Sequence, residues 1–184
     1  RINLAHLPTP IEALPRLSSL LNGPQIYIKR DDQTGLAMGG NKTRKLEFLL
    51  AEALTQGAKM LLSAGAVQSN HCRQVAAAAA RYGLGCTLIL TGEPPAQADG
   101  NLLLDKILGA QIIFTSRENR ERLLQETYAQ AEAAGQSPYL IPYGGSNATG
   151  ALAYAAAFEE MMNQGMEPDW VIFASSSGGT QAGM

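Results

Sequence analysis

Apolar residues along the chain switch repeatedly between a two-residue and a helical period. Gln25–Arg30 alternates apolar and polar positions, which predicts a strand. Lys42–Gln56 gathers Leu46, Leu49, Leu50, Ala53 and Leu54 on one side of a helix. Met60–Ser63 reads as a short apolar strand, and Ser69–Tyr82 as a helix closed by Gly83. Thr87–Leu90 is a buried strand and Asn101–Leu108 a helix ended by Gly109. Gln111–Phe114 is a strand, and Arg117–Ala134 a polar-faced helix ended by Gly135. Tyr139–Ile141 is a strand, Thr149–Asn163 a helix and Trp170–Ala174 a last strand. This alternation predicts an α/β fold around a parallel sheet. Gly144-Gly145-Ser146-Asn147 reads as a flexible break, a hinge between strand and helix. The chain stops at Gly183-Met184, where a covering helix should begin after the loop Ser175–Thr180. The expectation is a piece of a longer protein.

Composition narrows the function classes. The 184 residues, 46% of them hydrophobic, suffice for a core and for one domain or one and a half. A net charge of −2 with no basic run argues against a nucleic-acid partner. No apolar stretch approaches the roughly 20 residues of a membrane span, and no signal peptide is visible. Cys72 and Cys86 form no CxxC, and only His6 and His71 could join them, so no zinc site is expected. Both cysteines read as small core residues, which fits a reduced, cytoplasmic setting.

Gly39-Gly40-Asn41-Lys42-Thr43-Arg44-Lys45 is the most informative stretch. Paired glycines precede a helix whose first turn carries Lys42 and Lys45 on one face. One amine could bond to a carbonyl while the other holds an anion. Pyridoxal 5'-phosphate carries both groups. The positive end of the helix dipole should depress the Lys42 pKa, as formation of a carbon–nitrogen bond requires. Asn41 and Leu36 stand where a nucleotide-binding P-loop needs glycines, which disfavours that reading.

Two further segments follow strands. Gln68-Ser69-Asn70-His71 opens a helix, where ligands bind in open α/β sheets. Ser69 or Asn70 alone could be a helix cap, but four polar side chains in a row exceed that need. Ser175-Ser176-Ser177-Gly178-Gly179-Thr180 brings backbone N–H groups and hydroxyls together, as a phosphate cradle does.

With Thr9-Pro10-Ile11-Glu12, Ile28-Lys29-Arg30-Asp31-Asp32 and Gly144-Gly145-Ser146, these segments resemble one family in order and content. It is the D-cysteine desulfhydrase and 1-aminocyclopropane-1-carboxylate deaminase family of fold type II pyridoxal-phosphate enzymes, which are tryptophan synthase β-like. The resemblance runs over nearly the whole chain. It implies a small parallel-sheet domain, residues 54–153, inserted into a larger α/β domain. Residues 1–53 and 154–184 would be parts of that large domain, and its C-terminal part would be missing.

The resemblance makes Lys42 the lysine that condenses with the cofactor aldehyde, and Lys45 a lysine near the phosphate. Asn70 would bond the cofactor's 3-hydroxyl, and Ser69 would be a catalytic serine. Ser177, Gly178, Gly179 and Thr180 would form the phosphate loop, and Gln68, Ser69, Asn70 and His71 would meet the substrate. His71 tilts the implied activity toward elimination of sulfide from D-cysteine. The alternatives are opening of the aminocyclopropane ring, loss of sulfite from L-cysteate, and a non-catalytic cofactor-binding fragment. A small amino-acid substrate and a homodimer complete the implied picture.

Overall fold

In a computed structural model describing residues 1–184, a short antiparallel pair comes first: β1 (Ile11–Ala13), α1 (Pro15–Leu21) and β2 (Tyr27–Lys29). Two 3-10 turns, Asp31–Gln33 and Leu36–Met38, lead into α2 (Lys42–Thr55). Then come β3 (Met60–Ala66), α3 (Asn70–Tyr82), β4 (Gly85–Thr91), α4 (Gly100–Ile107), β5 (Gln111–Thr115), α5 (Arg120–Ala133) and β6 (Pro138–Leu140). A 3-10 turn at Tyr143–Gly145, α6 (Ala148–Asn163) and α7 (Gly179–Gly183) finish the chain.

Strands β5, β4, β3 and β6 lie side by side in that order, all parallel. Leu62 faces Thr87 of β4 on one side and Leu140 of β6 on the other. Alternation along the strands divides the core. Leu61, Leu88 and Leu90 pack with Leu46, Leu49 and Leu50 of α2, Val75 of α3 and Leu102 of α4. Leu62, Ala64 and Ile89 turn the other way, onto Leu124 of α5. The result is a sheet with helices on both faces, whose buried strands need apolar residues throughout. Leu61 is fully buried, so its replacement by alanine costs about 2–5 kcal/mol.

Local chemistry fixes the helix ends. Ser69 Oγ accepts the Cys72 N–H at 3.2 Å and starts α3, and Gly83 closes it with a left-handed φ of 66°. Asn147 Oδ1 accepts the Gly150 N–H at 2.8 Å and starts α6. The preceding glycines, Gly144 and Gly145, are buried in their turn rather than open to solvent.

The expected strand at Trp170–Ala174 does not form. That segment is irregular, with Trp170 86% and Ile172 94% exposed. A strand needs a ladder partner for its backbone groups, and no strand of this chain lies beside it. The short elements β1, α1 and α7 fall below the length at which periodicity shows. Cys72 and Cys86 are free and buried, as expected. No helix is long and apolar enough to cross a membrane.

Candidate functional site

The sheet order contains a reversal. From β3 the chain moves outward to β4 and β5, then returns to place β6 on the other side of β3. Loops leaving β3 and β6 therefore diverge above their carboxyl ends, which opens a crevice. A cavity of about 170 Å³ lies there, lined by Lys42, Ala64, Ser69, Asn70, His71, Tyr143, Gly144, Ser176 and Ser177. A larger cavity of about 260 Å³, lined by Ala58, Ser137 and Pro138 among others, sits at the opposite strand ends and contains no lysine.

Lys42 is the first residue of α2, and its Nζ donates to Asn41 Oδ1 at 3.1 Å. Burial pushes its amine below the ordinary lysine range. Burial thus does the work that the sequence reading assigned to the helix dipole. The loop before it is tightly held. Gly39 has φ of 70° and Gly40 φ of 122°, which favour glycine. The Gly39 carbonyl accepts from Arg73 Nη2 at 2.8 Å and from Gln74 Nε2. Thr34 Oγ1 donates to the Gly40 carbonyl and accepts the Gly40 N–H.

The start of α3 forms the facing wall. Asn70 Oδ1 accepts from Arg73 Nη1 at 3.2 Å and from Asn101 Nδ2 at 2.9 Å. Those two donors fix the amide orientation and leave the Asn70 NH2 as the donor available to a ligand. Ser69 both caps α3 and lines the cleft. His71 is 5% exposed, with Nε2 lying 3.0 Å from Ser63 Oγ. Burial, then the charges of Lys42 and Lys45, push its imidazole down to about 3, so the ring is neutral. Gln68 turns away from the cleft: its amide nitrogen donates to Asp99 Oδ1 at 2.9 Å and its oxygen accepts the Asn101 N–H at 2.8 Å.

Lys45 is 1% exposed and has no carboxylate partner. Its Nζ donates to the Gly144 carbonyl and Ser146 Oγ, both at 3.3 Å, and lies 5.9 Å from the centre of the Tyr154 ring. Burial, reinforced by Lys42, pushes this amine down to about 8. Ser146 Oγ lies 2.6 Å from Ser177 Oγ, which brings the serine–glycine loop to the lysine. A Cβ added at Gly179 would fall on Ser146 Oγ and 2.8 Å from Lys45 Nζ. Only glycine lets this backbone approach so closely. Thr180 follows within α7.

Sequence reading missed Tyr143 as a member of this cluster, and it quoted Ser146 without giving it a role. A signal existed, because Pro142-Tyr143-Gly144 follows the carboxyl end of β6 as Gln68-Ser69-Asn70 follows that of β3. Ser63 carried no such signal, being one polar residue within an apolar strand.

The donor set fits pyridoxal phosphate. An amine, Lys42, is presented to a carbonyl; an unanswered buried cation, Lys45, stands beside hydroxyls and glycine backbone; and an oriented amide, Asn70, faces the space between.

Comparison with known proteins agrees. A family model described as pyridoxal-phosphate dependent enzyme matches residues 2–184. The chain is 48% identical over 193 residues to the D-cysteine desulfhydrase of Klebsiella pneumoniae (strain 342), covering 100% of this chain and 58% of that protein. Against the D-cysteine desulfhydrase of Salmonella typhi it is 47% identical over 193 residues, with the same coverage. The chain thus spans 58% of the length of these curated relatives. A crystal structure described as an ACC deaminase homologue superposes with a TM-score of 0.90 at 41% identity, over 100% of this chain and 57% of that one. Escherichia coli diaminopropionate ammonia lyase shares the fold, with a TM-score of 0.72 at 20% identity over 97% of this chain and 53% of its own. The paired lysines, the reversal in strand order and a match from end to end converge on one assignment: this chain belongs to the pyridoxal-phosphate dependent enzymes, with the architecture of their fold type II.

Proposed function

We propose that this chain forms the lysine-bearing part of a lyase that converts D-cysteine and water to pyruvate, hydrogen sulfide and ammonia. The observation that carries the proposal is the pair of lysines at one cleft: Lys42 with a depressed amine pKa, and Lys45 buried without an anion. The names of the curated relatives support the choice of substrate.

When bound, pyridoxal phosphate supplies an aldehyde that amines can exchange upon and a conjugated ring that draws electron density from the substrate Cα. Lys42 holds its carbonyl end. Lys45, Ser177, Gly178, Gly179 and Thr180 hold its phosphate, and the Asn70 NH2 donates to its ring hydroxyl. Burial keeps a neutral fraction of the Lys42 amine available, and once freed its Nζ takes the Cα proton. Departure of the Cβ–S electron pair with sulfur completes the elimination. Ser69 orients the substrate carboxylate, with His71 in the surrounding wall; Gln68, turned toward the start of α4, supports that wall from behind.

The same proposal includes residues 54–153 as a small domain set into a larger one formed in part by 1–53 and 154–184. It also includes a homodimer acting in the cytoplasm.

Borohydride reduction of the holoprotein followed by peptide mapping should label Lys42, and Lys42→Ala should abolish both label and turnover. A label on another residue refutes the assignment. Assays of sulfide and pyruvate from D- and L-cysteine then fix handedness. Release of 2-oxobutanoate from 1-aminocyclopropane-1-carboxylate would favour the activity named for the superposed crystal structure. Sulfite from L-cysteate, or bound cofactor without turnover, would replace the cysteine reading.

A further inference from the structure

We propose that Tyr154 is a positioning residue for the reactive lysine: its hydroxyl, committed to Asp31, holds the Asn41 amide in the orientation that turns Oδ1 toward Lys42 Nζ. The inference rests on the reading of Lys42 as the amine that meets the cofactor carbonyl.

Lys42 is half-buried, and its Nζ has one hydrogen-bond partner, Asn41 Oδ1 at 3.1 Å. Burial alone sets the direction of its pKa, with no carboxylate opposing it. An amide at that place fixes the amine without adding a counter-charge that would keep it protonated. Only one of two amide orientations can do so. The other would set the Asn41 NH2 against the ammonium, donor to donor.

What selects the orientation lies on α6. Tyr154 is 4% exposed and donates its hydroxyl proton to Asp31 Oδ2 at 2.9 Å. Asp31 accepts from the Arg44 guanidinium at 2.8, 2.9 and 3.0 Å and offers no proton in return. A phenol has a single proton, so its oxygen presents only lone pairs to the neighbouring Asn41 side chain. Burial, then Asp31, push the Tyr154 pKa up, and the Asn41 side chain pulls it down. An N–H donor has that effect on a phenol. The Asn41 NH2 therefore faces Tyr154, and its Oδ1 faces Lys42. A line of contacts runs from Arg44 through Asp31, Tyr154 and Asn41 to the amine. The Tyr154 ring adds a second link, since its centre lies 5.9 Å from Lys45 Nζ. One side chain of α6 thus supports the surroundings of both lysines.

Competitive acetylation of the full chain, freed of cofactor, with acetic anhydride reads the charge state of Lys42 after peptide mapping. The exposed Lys59 is the internal reference. The other titratable groups near Lys42 are Lys45 on α2 and His71 on α3, and every variant used leaves them in place. Asn41→Ala removes an acceptor that favours the ammonium, so Lys42 labelling at pH 7 should rise, by up to about tenfold. Asn41→Asp sets a carboxylate at the same place and should lower it. Tyr154→Phe keeps the ring beside Lys45 and deletes only the hydroxyl. It should raise Lys42 labelling as Asn41→Ala does, and adding it to Asn41→Ala should change nothing further. Independent, multiplying effects, or no effect of Tyr154→Phe, overturn the proposal. In the holoprotein Tyr154→Phe should lower kcat for cysteine about tenfold and leave KM little changed; an unchanged kcat also overturns it. A borohydride label away from Lys42 would sink the proposed function yet leave the acetylation result standing, so the two can fail separately.

Discussion

Lys45 carries a charge that its surroundings leave unanswered. Its folded pKa is about 8 against an ordinary 10.5, because burial and the Lys42 charge oppose protonation. Between those values the unfolded chain binds more protons, so stability of the cofactor-free protein rises with pH across the window. A phosphate at Nζ cancels the penalty. Inorganic phosphate should therefore raise the melting temperature more below pH 8 than above it, and Lys45→Met should lose that dependence. A shift that is equal on both sides of pH 8 contradicts this assignment.

Asp105 on α4 presents the opposite sign. It is fully buried and both its carboxylate oxygens lack partners. Burial pushes it from 3.8 up to about 7, with Arg73 pulling the other way. Here the folded state binds more protons between those values, so stability falls as pH rises through the window. Asp105→Asn should melt higher than the parent above pH 7, by a margin that shrinks as pH falls and vanishes below 3.8. The thermal melts that test Lys45 decide this too.

At the scale of elements, α2 holds the fold together with one face and builds the site with its first turn. Arg44, its side chain 3% exposed, bridges Asp31 at 2.8 Å and Glu160 of α6 at 2.9 Å. Tyr154 of α6 donates to the same Asp31 at 2.9 Å, and Lys29 of β2 reaches Glu160 at 2.5 Å. Glu47 further along α2 accepts the Leu4 and Ala5 N–H groups, each at 2.9 Å. Removing one partner of such a buried pair leaves the others uncompensated. Arg44→Ala should cost about 3–5 kcal/mol in chemical denaturation; a loss under about 1 kcal/mol would make the cluster ornamental.

The apolar period of Lys42–Thr55 located α2 almost to the residue, because Leu46, Leu49, Leu50 and Ala53 face the core. It was blind to Arg44, Lys45 and Glu47, which are equally buried. Charged residues read as solvent-facing in any hydrophobic pattern, and only their partners in distant segments explain their burial. Motif spacing recovered the two lysines, since chemistry rather than hydropathy marked them. Gln68 shows the converse. Its place beside Ser69 and Asn70 suggested a common role, yet its side chain serves the start of α4.

At the scale of the molecule, the sheet with its two helical layers was legible because each of its strands is mostly apolar and the long helices are followed by glycine. Trp170–Ala174 was misread for the same reason: a local apolar run carries no information about whether a ladder awaits it. The run leaves Trp170 and Ile172 in water. Trp170 is the one tryptophan, so the intrinsic fluorescence of the 184-residue chain should have the red-shifted, readily quenched emission of a solvated indole. An unpaired apolar run is also a template for edge-to-edge association. Ile172→Lys should delay aggregation of this chain without moving its melting temperature, as scattering during the same melt would register.

Arg73 gives the cleft a property that its separate walls do not have. Its guanidinium reaches the Gly39 carbonyl with one nitrogen and the Asn70 and Asn101 amides with another. The segment carrying Lys42 and the segment carrying Asn70, distant in sequence, are thereby tethered to a single planar fork. Any rotation of one against the other must pivot at that fork or tear it. Lysine could not substitute there, since a lone ammonium has no second arm set at a fixed angle. Transplanting either motif onto another scaffold without this arginine would carry over the reactive groups but lose the alignment between them.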